Sequence, residues 1–221
     1  MRKNRMNRAV LLCGISLFFW FCNQNGAKTE TGNTAKTEEH SGSGMAAEGN
    51  NSNKMMELMH ENMTTIQEAD INGDPDHDFA LLMAKHHEGA IKMAEEEAAN
   101  GTDSTLVNLA KQTITKQKEE QQVLQAFADN QREAPKDTAN TQVLLQPMKN
   151  MMAKMGQNTN ASTDHHFASL MSMHHQSGIE MARAYIPVAK VPEIRSRAQK
   201  IINDQQQEKA MLDKWLQNNK Q

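Results

Sequence analysis

Two adjacent histidines, His86 and His87, recur 88 residues later as His174 and His175. Each pair has methionines at matching offsets, Met83 and Met93 around the first and Met171 and Met181 around the second. Imidazole nitrogen together with thioether sulfur is a soft-to-borderline donor set, which suits copper, Cu(I) ahead of Cu(II). No cysteine follows residue 22, so thiolate ligation is excluded for the rest of the chain. On a helix turning about 100° per residue, both histidines of the first pair fall on the apolar stripe with Phe79, Leu82, Met83, Ala90 and Met93. Lys85, Glu88, Lys92, Glu95 and Glu96 fall on the other side. Met83 and His87 are i,i+4 neighbours, as are Met171 and His175. An imidazole facing a core costs free energy unless it finds a partner. That partner is either a metal or a polar side chain on a facing helix. Methionine at helical spacing is usually core filler; the duplicated pairing with histidine is what favours a metal.

Further donors rank below these. His77 and His165 point toward solvent on the wheel and need help from a neighbouring segment. Residues 55–63 read MMELMHENM, where Met56, His60 and Met63 share a face and Met55 and Met59 share the adjacent one. Residues 148–155 read MKNMMAKM, with Met148, Met151, Met152 and Met155 at helical spacing. These stretches are either apolar packing faces or additional soft-metal faces. Gln117 and Glu120, and likewise Gln205 and Glu208, fall on the inward stripes of the partner helices. A carboxylate there can fix the tautomer of a metal-bound imidazole. Asp76 and Asp164 lie near helix starts, where an acid favours the helix dipole; support of the site from behind the ligands is their second candidate role.

The elements that position these residues follow from an internal repeat. Residues 76–94 (DHDFALLMAKHHEGAIKMA) and 164–182 (DHHFASLMSMHHQSGIEMA) are identical at 11 of 19 positions. The register continues through Ala110/Ala198, Ile114/Ile202, Gln117/Gln205, Glu120/Glu208, Leu124/Leu212 and the aromatics Phe127/Trp215. Each unit is therefore a helical hairpin, and duplication predicts an all-α four-helix bundle. Repeat units span about 53–130 and 142–219, and short Met-rich helices near 53–70 and 142–156 precede the hairpins. Asp74-Pro75 reads as cap and first turn, Asn100-Gly101 as a stop, and Thr102 or Asp103 as the next cap. Ser162 or Thr163 caps the third long helix, Pro187 ends it and Pro192 starts the fourth.

Arg2, Lys3, Arg5 and Arg8 precede an apolar run from Ala9 to Phe21, which is short for a membrane span. Residues 1–22 read as an export signal, with Cys22 a lipidation candidate and the membrane touched only through that anchor. The bulky Trp20 and Phe21 depart from the small residues that a cleavage site prefers. Cys13 lies within the apolar run. Residues 23–52 read as a disordered polar linker, with His40 solvated, and residues 53–221 as the folded domain. A net charge of -3 without a basic block argues against a nucleic-acid partner.

Asp76, Phe79, Met83, His86-His87, Ala90-Ile91 and Met93-Ala94 together resemble the domain-of-unknown-function family 305. The second copy matches through Asp164, Phe167, Met171, His174-His175, Ile179 and Met181-Ala182, and the later Gln-x-x-Glu and aromatic also match. The resemblance spans residues 55–217. It implies a ferritin-like four-helix bundle, exported in bacteria, and a link to periplasmic copper tolerance. One departure is Ser177-Gly178 where the first copy has Gly89-Ala90, so the second site is expected to pack differently.

The reading is an exported, periplasmic or membrane-anchored copper binder that buffers, sequesters or hands the metal to an envelope partner. No nucleophile–base pair or nucleotide fingerprint suggests an enzyme. The alternatives are a metal-free interaction or scaffold module, a b-type haem bundle and a ferritin-like di-iron or di-manganese oxidase. The last needs Glu-x-x-His motifs on inward helices, and the one such motif is Glu57/His60.

Overall fold

The computed structural model describes residues 48–131, 139–156 and 161–220. The export segment, Cys13, Cys22 and His40 lie outside the described residues. Six α-helices form: α1 (Glu48–Gln67), α2 (Pro75–Asn100), α3 (Ser104–Asp129), α4 (Ala139–Lys154), α5 (Thr163–Tyr185) and α6 (Pro192–Asn218). A short 3-10 turn, Ile186–Val188, follows α5. No strand occurs among the described residues, and none of their helices is long and apolar enough to cross a membrane. α1 begins at Glu48, inside the tract read as linker.

Local chemistry explains the boundaries. Asp74 accepts from the Asp76 and His77 amides, and Pro75 starts α2. Asp103 accepts from the Thr105 and Leu106 amides at the start of α3, and Ser162 accepts from the His165 amide at the start of α5. Such a cap is worth about 1 kcal/mol. Pro187 falls in the turn that ends α5, and Pro192 opens α6.

α2 packs on α3 and α5 on α6, and the two hairpins meet where α2 crosses α5. α1 covers α2, and α4 covers α5. The core between them is aliphatic, aromatic and rich in methionine, including Phe79, Leu82, Leu106, Phe167 and Leu212.

The two hairpins are tied by acids at equivalent positions. Asp76 accepts the Tyr185 hydroxyl and the amides of Lys190 and Val191, so it fixes the backbone entering α6. Asp164 accepts from the Thr102 amide at 2.9 Å, the Thr102 hydroxyl at 2.6 Å and the Asp103 amide at 2.9 Å. Each acid thus caps the second helix of the opposite hairpin. This corrects the idea that Asp76 and Asp164 support the histidines. Their oxygens are occupied by loop N–H and hydroxyl groups, because a helix start leaves donors that need acceptors.

Candidate metal centre

His86, His87, His174 and His175 are all fully buried where α2 and α5 cross. The His86 and His174 rings lie face to face, 3.7 Å between centroids at 31°, and the His87 ring centroid is 6.3 Å from that of His86. Close approach depends on Gly178. A Cβ there would fall 2.8 Å from His86 Cε1 and 2.4 Å from Gln205 Oε1.

The hydrogen bonds select one ring nitrogen on His86 and His87. His87 Nε2 lies 3.2 Å from Glu120 Oε2. His175 Nε2 is equally far from Glu208 Oε2, although its angle falls short of a good hydrogen bond. Ser177 Oγ donates to the His174 carbonyl at 2.7 Å, so it accepts from His86 Nε2–H at 3.0 Å. In the neutral rings, protons on the bonded Nε2 atoms leave the Nδ1 lone pairs of His86 and His87 bare. Neither of those Nδ1 atoms has a protein partner, and neither nitrogen of His174 or of His175 has one. Orphaned buried lone pairs are rare in core histidines, which normally bond a facing side chain.

Burial first, and then the neighbouring imidazoles, hold His86 and His174 well below the ordinary histidine range, against a weak approach of each ring to the other residue's backbone. Both are neutral at physiological pH, the state that binds metal. The acids behind the cluster are ionised. Burial would raise Glu120, but His87 and Lys200 outweigh it and bring it down to about 2. Glu208 is lowered in the same way, with His175 and Lys116 outweighing burial. Lys200 from α6 reaches Glu120 at 2.9 Å, and Lys116 from α3 reaches Glu208 at 3.1 Å. Charge at the back of the site is thereby neutralised across the two hairpins.

Met83, Met93, Met171 and Met181 are all fully buried in the core around this crossing. Gln117 and Gln205 are also buried, with the Gln117 carbonyl and both polar atoms of Gln205 unpartnered. Among the described residues no three His, Cys, Asp or Glu groups converge as a metal would require. A metal at this crossing would therefore need sulfur donors or a side-chain rotation beside the histidine nitrogens.

The lower-ranked residues divide. His77 turns to Asp78 at 2.8 Å, and His165 meets the edge of Trp215 at 5.9 Å. His60 is exposed and bonds the Met56 carbonyl of its own helix. All three are engaged away from the paired histidines. Met63 is buried with Met55 and Met59, so the inner face of α1 carries 55, 59 and 63, while Met56 is only partly buried. On α4, Met148 and Met151 are buried while Met152 and Met155 are partly so. Met148 reaches the centre: Ser177 Oγ lies 3.2 Å from its sulfur.

Sequence reasoning missed several residues. Asp78 is fully buried and accepts from Asn72, Gly73 and Thr141, organising the loop before α2. Glu97 is a buried acid at the position equivalent to Tyr185. Ser177 was noticed only as a departure from the repeat; that departure was its signal.

The fold and site define a duplicated helical bundle with a central block of buried histidines backed by carboxylates. The chain belongs to the DUF305 family, a domain of unknown function, whose profile matches residues 20–128 and again 127–216. No curated protein matches it in sequence. Among solved structures it is similar to CopM in the Ag-bound form, at 25% identity and a TM-score of 0.51, covering 66% of this chain and 98% of that one. The apo form of CopM gives 25% identity and a TM-score of 0.50 over the same shares.

Proposed function

We propose that this protein binds copper, preferentially Cu(I), between α2 and α5, and acts as a metal buffer or carrier, not an enzyme. The observation that carries this is the set of orphaned imidazole nitrogens at the crossing: Nδ1 of His86 and His87, and both nitrogens of His174 and His175. His86, His87, His174 and His175 are the proposed nitrogen donors, and Met83, Met93, Met171 and Met181 the proposed thioethers. Glu120, Glu208 and Ser177 hold imidazole tautomers, and Gln117 and Gln205 line the site. The silver-bound CopM relative supports the reading, because Ag(I), like Cu(I), prefers soft donors. Export through residues 1–22, with Cys22 as an anchor and hand-over to an envelope partner, completes the proposal.

A metal-free interaction or scaffold module is the second reading, favoured by the lack of a converged three-donor group among the described residues. A di-iron oxidase gains nothing from the structure: Glu57 and His60 are exposed on α1. The deciding experiment is titration of the purified protein with Cu(I), Cu(II), Zn(II) and Fe(II) against competing chelators. Tight stoichiometric Cu(I), lost when all four paired histidines become Ala in a protein that stays helical, supports the copper binder. No tight metal in the unaltered protein leaves the interaction or scaffold module.

A further inference from the structure

The two helices that cover the histidine crossing are not equivalent. On the first side, Gly89 lets the Asn62 side chain of α1 press against α2, where a Gly89 Cβ would fall 2.3 Å from Asn62 Cγ. The Asn62 amide donates to the Lys85 carbonyl at 2.7 Å, which pins α1 in place. On the second side the residue equivalent to Gly89 is Ser177, and the one equivalent to Asn62 is Asn150. Neither closes the contact. Instead a groove of about 70 Å³ opens between α4 and α5, with Asn150, Met151, Met173, Gln176, Ser177 and Glu180 among its lining residues. A site needs only about 10–15 Å³ of such space to hold a water, so the groove has room for a small ion.

A chain of soft donors leads inward from this groove. Met151 and Met173 line it, and Ser177 forms part of its floor. Ser177 Oγ touches both the fully buried Met148 sulfur at 3.2 Å and His86 Nε2 at 3.0 Å. His86 in turn stacks on His174. On the α1 side the residue equivalent to Met148 is His60, which is exposed and bonded to its own helix. Glu180 and Lys154 both line the groove, so its charge is balanced and the thioethers, not the charge, would select the ion.

We propose that soft monovalent ions reach the buried histidines through the α4–α5 groove, with Met151 and Met173 as the receiving thioethers and Met148 as the ligand that passes the ion inward, past the protonated His86 Nε2, to the unpartnered nitrogens of His174. The α1 side is closed. This rests on the copper reading above, yet it concerns the path and not the final site. Thioethers along the route favour Cu(I) and Ag(I) over Zn(II).

The test is stopped-flow transfer of Cu(I) from a chromophoric chelator to the full chain, with equilibrium affinity measured in parallel. Met148→Leu and the Met151→Leu/Met173→Leu pair keep side-chain volume. Each is expected to slow loading roughly tenfold, a barrier increase that small changes in one ligand step can produce. Equilibrium affinity should stay within roughly threefold, well under the tenfold that 1.4 kcal/mol represents. Asn150→Trp covers the groove without entering the core and should slow loading of Cu(I) and Ag(I) alike. Met59→Leu/Met63→Leu on α1 should leave the rate unchanged. Unchanged rates in all the α4–α5 variants, with affinity intact, overturn the route while leaving the copper site standing. Failure of the unaltered protein to take Cu(I) or Ag(I) overturns both.

Discussion

Glu97→Gln is expected to make the protein more stable, and increasingly so as pH rises. Glu97 is fully buried near the end of α2, and neither carboxyl oxygen accepts a hydrogen bond. Its counterpart in the second repeat is Tyr185, whose hydroxyl donates to Asp76. Glu97 stands in the same relation to Asp164, so the natural donor is a protonated carboxyl. Burial first, and then the contact with ionised Asp164, raise Glu97 from 4.5 to about 9. The folded protein therefore binds this proton more tightly than the unfolded chain. The resulting stabilisation is fully present below about 4.5 and is lost as pH rises through about 9. His86 and His174, whose values are lowered, give the opposite slope only below the ordinary histidine range. Above pH ~7 the Glu97 effect stands alone among these groups, at about 1.4 kcal/mol per pH unit. From pH ~7 to ~8.5 the stability gap between variant and natural protein should grow by about 2 kcal/mol, roughly 4–8 °C in Tm for a domain of this size. Urea unfolding followed by circular dichroism at both pH values measures it. Parallel pH dependences for the two proteins would show that Glu97 is ionised in the fold and that its pairing with Asp164 does not exist.

Other substitutions bear on the metal centre directly. Gly178→Ala places a methyl against His86 and Gln205; it should cost about 1–3 kcal/mol of stability by overpacking and weaken copper binding, as read by thermal unfolding and chelator competition. Met83, Met93, Met171 and Met181 replaced together by Leu should weaken Cu(I) far more than Zn(II), and an equal loss for both metals would count against thioether ligation. Glu120→Leu with Glu208→Leu removes the acceptors that face His87 and His175. It should cost about tenfold or more in copper affinity, with a matching change in the histidine tautomer signals by nitrogen NMR; unchanged signals would refute the tautomer assignment. Asp76→Asn should destabilise the start of α6 without altering copper affinity, because its oxygens serve loop amides.

The helices were legible from the chain alone because their causes are local. Asp74-Pro75, Asp103, Ser162, Pro187 and Pro192 act on neighbouring backbone groups, so the sequence places them within a residue or two. The repeat showed that hairpins pair, and hydrophobic period alone turned both His-His pairs inward. Periodicity states a direction and not a partner. It therefore could not show that His86 stacks on His174, that Asp76 and Asp164 each cap the opposite hairpin, or that Lys116 and Lys200 cross between hairpins to reach Glu208 and Glu120. It also could not say which face of α1 is buried, because the face a short covering helix buries is chosen by the helix it lies on. Asn62 against Gly89 and Met148 against Ser177 are the clearest case. The repeat predicts equivalent covers, yet one residue without a Cβ admits a closing amide and its serine counterpart holds a thioether instead. That difference exists only once two helices distant in sequence touch, and there the tertiary structure alone decided which side of the histidine cluster is sealed.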